Sequence, residues 1–251
     1  PDVYAVGDAV EVRHFVTGAK SHIALAGPAN KQGRIAADHI CGRRSAYTGA
    51  LGTSVLKLFD LTAASTGLNE KQARAAGVAY DKVVTYSASH ASYYPGARNM
   101  TVKTLFDPAS GRILGAQIVG FDGVDKRMDV LAAAIRAGLT AEQLTELDLA
   151  YAPPYGSAKD PVNMAGYVIE NVRAGLVEQH HWDAVAELPA DGSVILLDVR
   201  TPGEVRKQGL LRSDALHIPL DELRGRLTEL CAGKPVYVMC QSGLRSYLAC
   251  R

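Results

Sequence analysis

With 251 residues, 47% of them apolar and 21% charged, the chain is long enough for two domains and has the composition of a folded globular protein. Lys and Arg total 27 against 26 for Asp and Glu, leaving a formal charge of only +1. That balance argues against a polyanion-binding surface, and so against nucleic acid as a partner. No run approaches the roughly eighteen apolar residues of a membrane helix, so no membrane contact is expected. The four cysteines, Cys41, Cys231, Cys240 and Cys250, form neither a CxxC pair nor a zinc pattern, so no metal is expected. They are also too sparse for a secreted disulfide framework, and with no signal peptide visible the expected location is cytoplasmic.

In chain order, residues 2–6 (DVYAV) alternate like a short buried strand and run into the turn Gly7-Asp8. A helix is predicted from Leu25 to Cys41, followed by a polar, glycine-rich boundary, CGRRSAYTGALGT. Between Ser54 and Phe121, SVLKLFDLTAASTG, KVVTYSASH, RNMTVKTLFD and RILGAQIVG carry β-branched, alternating patterns, and DPASGR supplies a hairpin turn. The short helix NEKQARAAG has Asn69 as its expected N-cap and Gly77 as its stop. A periodic helix, DKRMDVLAAAIRAG, comes next, then the irregular AYAPPYGSAKDPV and a helix from Val162 to Arg173.

A second unit is expected from near His181. SVILLDVR and KPVYVMC are near-continuous apolar runs, as in strands buried on both faces, and LDELRGRLTEL reads as an amphipathic helix. KPVYVMC leads through CQSGLRS into a helix, the layout of an α/β domain whose chemistry sits at the carboxyl end of its strands. A cysteine there faces backbone N–H groups that favour a thiolate and can hold an anionic persulfide. Arg245 either adds positive charge or braces the loop. The bland alternative for Cys240 is a buried, inert thiol closing a strand. Cys41, Cys231 and Cys250 are read as structural.

The loop Cys240-Gln241-Ser242-Gly243-Leu244-Arg245-Ser246, with Asp198 and Arg200 of LLDVR, resembles the rhodanese sulfurtransferases from about Trp182 to Arg251. Four residues separate Cys240 from Arg245, which resembles the tight sulfurtransferase loop more than the C-x5-R loop of phosphatases on the same fold. The resemblance makes Cys240 the working thiol, with Gln241, Ser242, Gly243 and Leu244 as substrate contacts. Rhodaneses carry a GHIPGA-like segment where this chain has GLLRSDALHIPL, so different packing is expected there.

DVYAVGDAVEV and ALAGPANKQGRIAAD resemble the second flavin-binding segment of the pyridine nucleotide–disulfide oxidoreductases. The resemblance places Gly7 and Asp8 at the ribityl chain of FAD, with Leu25 and Ala26 at the flavin's pyrimidine edge. Residues from about Gly52 to Val172 resemble the dimerisation domain of that superfamily. SASHASYYPGA and AYAPPYGSAKDPVNMAG are similar to segments of coenzyme A disulfide reductases and their persulfide-reducing relatives. In that group a tyrosine from each segment reaches across a homodimer to the partner's flavin and substrate. Tyr93 and Tyr151 are assigned here, with Tyr94 and Tyr155 as rivals, and Lys159 and Asn30 as coenzyme A contacts. The bland reading of YAPPY is a rigid turn.

The resemblance thus implies an α/β and α+β chain: the end of an FAD-binding domain over residues 1–46, a dimerisation domain over 47–176 and a rhodanese-like domain over 177–251. It implies FAD, NAD(P)H and coenzyme A as cofactors and coenzyme A disulfide, coenzyme A persulfide or polysulfide as substrate. The alternatives are an NADH oxidase or peroxidase, and a stand-alone dimerising sulfurtransferase module. No GxGxxG dinucleotide motif occurs in the sequence, nor the family's redox cysteine near the start of the full flavoprotein. The chain is therefore expected to be the C-terminal half of such a protein, cut at both ends. By itself it is expected neither to bind FAD well nor to oxidise NAD(P)H.

Overall fold

The computed structural model describes residues 3–230 and 233–251, so Cys231 lies outside the described residues. The chain divides into two compact units, Pro1–Glu170 and Asn171–Arg251.

The first unit opens with a two-residue ladder of β1 (Val12–Arg13) and β2 (Lys20–Ser21), followed by α1 (Ala26–Ile40). The strand expected at 2–6 does not form: residues 3–6 are coil, and Val3 is 85% exposed. Alternation makes a strand only where a neighbour completes the ladder, and among the described residues none pairs with this segment. The helix expected from Leu25 to Cys41 is present, with Leu25 as its N-cap and Cys41, exposed, as its C-cap.

The core of this unit is a five-stranded antiparallel sheet. Its strands are β3 (Ser54–Leu58), β4 (Leu61–Gly67), β5 (Asp81–Ala88), β6 (Asn99–Phe106) and β7 (Ile113–Gly120), in the order β3-β4-β7-β6-β5. The run SVLKLFDLTAASTG resolves into the β3–β4 hairpin, turned at Phe59, which takes a φ of 51°. β7 passes the end of β4 so closely that a Cβ on Gly115 would lie 1.9 Å from the Leu68 carbonyl oxygen, which requires glycine there.

Helix α2 (Glu70–Ala75) joins β4 to β5 and is capped by Asn69, as expected. Helix α3 (Val124–Ala137) ends at Gly138 in the left-handed conformation and lies against β4 and β7, burying Met128, Leu131 and Ile135. Short α4 (Ala141–Thr145), absent from the sequence reading, has its own signal in the capping box of Thr140 and Gln143. Helix α5 (Pro161–Arg173) follows, and the division between units falls within it.

The register separates the sheet's two faces. Ala64, Ile118 and Val102 pair across adjacent strands and are buried. The next row, Leu56–Ala63–Val119–Thr101–Tyr86, crosses all five strands on the opposite face. There Leu56, Val119 and Tyr86 are exposed.

The second unit holds β8 (Ile195–Asp198), α6 (Pro202–Gln208), β9 (Leu216–His217), α7 (Leu220–Leu223), β10 (Val236–Met239) and α8 (Leu244–Cys250). Its strands are parallel in the order β10-β8-β9 around a core of Leu197, Val199, Ile218 and Leu223. The helix expected over LDELRGRLTEL is only the four residues of α7 and a separate 3-10 turn at Leu227–Glu229. Gly225 sits at the break, where glycine is a poor helix former, and Arg226 bonds Glu222 and Glu229 across it. Helix α6 went unread although Thr201-Pro202-Gly203-Glu204 is a capping box with proline at N1. Among the described residues no helix is long and apolar enough to cross a membrane.

Candidate active sites

In the second unit, Cys240 follows directly on β10 and packs against the core, so its sulfur is half-buried at the carboxyl end of a parallel strand. Gly243, at φ 91°, turns the chain into α8. That left-handed residue brings two backbone amides onto the sulfur, Gly243 N at 3.1 Å and Ser246 N at 3.3 Å. As a thiol, Cys240 donates to Ser246 Oγ at 3.6 Å, while the Ser246 hydroxyl donates to the Gly243 carbonyl at 2.8 Å.

Burial alone pushes the Cys240 thiol up. The amides of Ser246, Ser242 and Gly243, with the Ser246 hydroxyl, outweigh it and set the thiol below its ordinary value. The loop thus stabilises negative charge on a sulfur that remains partly accessible. Gln241, Ser242, Gly243 and Leu244 form the exposed outer wall of the loop.

Arg245 fills both of the roles open to it: it braces the loop, and its charge also acts on Cys240. Its two terminal nitrogens donate to both oxygens of Glu204, each at 2.7 Å. Glu204 also accepts from the Thr201 amide and hydroxyl, both at 2.8 Å, and these bonds hold its carboxyl far below the usual range. Beside this clasp the LLDVR element is buried. Arg200 meets the Asp198 carboxylate with 3.0 and 2.6 Å bonds and reaches Gln208 and the Gly209 carbonyl, both at 2.8 Å. In the divergent GLLRSDALHIPL segment, His217 Nε2 donates to the Arg200 carbonyl at 2.8 Å.

In the first unit, the Tyr93 and Tyr151 hydroxyls meet at 3.1 Å, which raises the Tyr151 phenol above its ordinary value. The Tyr93 loop is shaped by His90, which bonds Ser89 Oγ at 3.1 Å and donates to the Pro95 carbonyl at 3.2 Å. The Ala91 amide donates to Pro153 O at 3.2 Å, joining the two tyrosine loops. Helix α3 grips both ends of the second loop: Lys126 Nζ donates to Ala150 O at 3.3 Å, and Arg127 pairs with Asp160 at 2.9 Å. An open pocket of about 510 Å³ lies here, lined by His90, Lys126, Arg127, Tyr151, Pro154 and Tyr155. Of the rival tyrosines, Tyr155 lines this pocket and Tyr94 stands edge-on to His90. Lys159 is exposed beside Asp160.

At the start of the unit, Gly7 turns at φ 89° with its amide held by the buried Gln32 side chain at 2.8 Å. The Asp8 side chain is exposed, while its main-chain carbonyl accepts from His22. Leu25 and Ala26 stand at the N-terminus of α1, and the Asn30 side chain donates back to the Ala26 carbonyl at 2.9 Å.

Residues 53–161 match the pyridine nucleotide-disulphide oxidoreductase dimerisation domain, and residues 181–251 match the rhodanese-like domain. The chain thus carries a segment similar to each of these two domain families. Bacillus anthracis CoADR-RHD, in its reduced crystal structure, is 49% identical with a TM-score of 0.94, over 99% of this chain and 44% of that one. An NAD-dependent persulfide reductase from A. fulgidus is 42% identical with a TM-score of 0.88, over 98% of this chain and 44% of that one. The coenzyme A disulfide reductase of Staphylococcus haemolyticus is 39% identical over 168 residues, 66% of this chain and 38% of its own length. The chain thus spans less than half the length of these relatives.

Within the first unit, sequence reasoning missed Lys126, Arg127, Asp160 and His90. In the rhodanese-like unit it missed Glu204, although the capping box that contains Glu204 was readable.

Proposed function

We propose that this chain serves the NAD(P)H-driven, flavin-dependent reduction of coenzyme A disulfide, coenzyme A persulfide or polysulfide, with Cys240 carrying sulfane sulfur. The observation that carries this reading is the sulfur of Cys240 facing the Gly243 and Ser246 amides. The Cys240 thiolate attacks the outer sulfur of a persulfide R–S–SH. The new bond gives Cys240–S–SH, and the broken S–S bond leaves R–S⁻. The amides that stabilise the thiolate also stabilise the ionised persulfide.

The residues assigned to FAD fit such a group. Asp8 is exposed for the ribityl hydroxyls, and the first-turn amides of Ala26 and Gly27 have no intrahelical acceptor, a setting that favours an electron-rich edge. When bound, the flavin would pass reducing equivalents from NAD(P)H to a disulfide. The Tyr93–Tyr151 pair would donate a hydrogen bond to the departing coenzyme A thiolate, and Lys159 would meet the coenzyme A phosphates as a flexible cation.

The sulfur-carrier reading is tested by intact-mass measurement after incubation with a persulfide donor. One added sulfur on the wild type and none on Cys240→Ser is expected. A gain that survives in Cys240→Ser would sink the assignment.

A homodimer is proposed as well, formed through the exposed sheet face. Leu56, Val119 and Tyr86 make an apolar row there, of a kind that marks an interface. Val119→Lys places a charge in that row and is expected to convert a dimer to a monomer in light scattering. A variant that stays dimeric would point to another face.

A further inference from the structure

We propose that Glu204 sets the sulfur donor of Cys240, by offsetting the charge of Arg245 beside an incoming oxyanion and so favouring organic persulfides over thiosulfate. The inference rests on Cys240 being the sulfur carrier and adds which donors it accepts.

The argument begins with charge. Attack of a Cys240 thiolate on a neutral organic persulfide brings together one negative charge. It ends as Cys240–S–SH and an organic thiolate whose other charges lie far from the sulfur. Attack on thiosulfate brings together three: the thiolate and the dianion collapse to Cys240–S–S⁻ and a departing sulfite dianion. Both steps balance, but the second concentrates charge in a half-buried site and requires a free cation at the mouth.

Arg245 is the one ionisable side chain between Gln241 and Ser246. Each of its terminal nitrogens gives Glu204 one bond of 2.7 Å, so its charge, which also reaches the Cys240 sulfur, is offset by the carboxylate. Glu204 is itself fixed by the Thr201 amide and hydroxyl, both at 2.8 Å, so the clasp belongs to the α6 cap. The remaining outer wall of Gln241, Ser242, Gly243 and Leu244 is uncharged, and Leu244 is 63% exposed, an apolar surface beside the sulfur. What the mouth offers is backbone amides, an Arg245 charge offset by Glu204 and an aliphatic side chain, which suit a donor whose leaving group is an organic thiol.

The test is the rate of sulfur gain on Cys240 by intact mass, with glutathione persulfide and with sodium thiosulfate in parallel. The wild type is expected to use the organic donor at least about tenfold faster. In Glu204→Gln, which removes the charge and frees Arg245, the ratio of thiosulfate rate to organic rate is expected to rise about tenfold or more, the scale of one charged hydrogen bond. The wild-type ratio needs no variant, so a destabilised Glu204→Gln leaves the proposal open to refutation. Equal wild-type rates, or a ratio unmoved by Glu204→Gln in folded protein, would overturn it. Sulfur gain from neither donor would remove the carrier reading and this inference with it.

Discussion

Replacing Arg127 with Met is expected to destabilise the first unit by about 3–5 kcal/mol, because it strands a buried carboxylate. Arg127 is 1% exposed and Asp160 3%. The guanidinium meets Asp160 through Nε at 3.1 Å and Nη2 at 2.9 Å, and its Nη1 donates to the Gly123 carbonyl at 3.2 Å. Asp160 in turn accepts from the Val162 amide at 3.0 Å, at the start of α5. Gly123 suits this packing: a Cβ there would lie 2.2 Å from Arg127 Nη1 and push it aside, and its φ of +68° already favours glycine. Removing the cation leaves Asp160 with one amide for a full negative charge, so it must either stay charged at high cost or take up a proton.

That loss should reach the tyrosines. Lys126 and Arg127 are neighbours on α3, and between them they hold Ala150 and Asp160, the two ends of the loop that presents Tyr151. With one end released, the Tyr93–Tyr151 hydrogen bond is expected to weaken. The Tyr151 phenol would then titrate nearer its ordinary value, as it would in Tyr93→Phe. Urea unfolding measures the first effect, and tyrosine-ring carbon NMR with pH measures the second. An unchanged Tyr151 titration in folded Arg127→Met would show that the loop holds its shape without the pin. Lys126→Met, which removes a half-buried side chain with a single bond to the loop, is expected to give a smaller shift in the same direction.

These groups also show what the sequence makes legible. The Cys240 loop could be read because its parts are contiguous: the strand, the thiol, the turning glycine and the bonded serine lie within eleven residues, Val236 to Ser246. The same holds for α2, whose cap and stop are local. The Tyr93–Tyr151 contact spans 58 positions and the Arg127–Asp160 pair 33, so no local pattern encodes either. The tyrosines are singled out only by resemblance, while Arg127 reads as an ordinary polar residue in an amphipathic helix. Nothing in the periodicity of DKRMDVLAAAIRAG marks that one of its charges points inward, since long basic side chains usually face water. The failed strand at 3–6 has the complementary cause: a local pattern was present, but its fulfilment depends on a neighbour.

In the rhodanese-like unit the corresponding substitution is Arg200→Met, expected to cost about 3–5 kcal/mol for the same reason. Asp198 is wholly buried at the end of β8, and Arg200 is 5% exposed. The guanidinium links that strand to the end of α6 through Gln208 and Gly209, while the Arg200 carbonyl accepts from His217 on β9. One residue, through its side chain and its carbonyl, therefore joins three elements beside the Arg245–Glu204 clasp, and like-charge repulsion from Arg245 is part of its surroundings. In Arg200→Met the Asp198 carboxylate retains the amide of residue 200, at 3.0 Å in the wild type, but loses its charge partner. Replacing both residues, Asp198→Leu with Arg200→Met, is expected to cost less than Arg200→Met alone, because no uncompensated charge remains. Hydrogen exchange at the β8 and β10 amides reads the stability of this unit directly. If the double variant were the less stable of the two, the pair would be contributing net attraction beyond the cost of burying it. The buried charge alone would then not explain the loss.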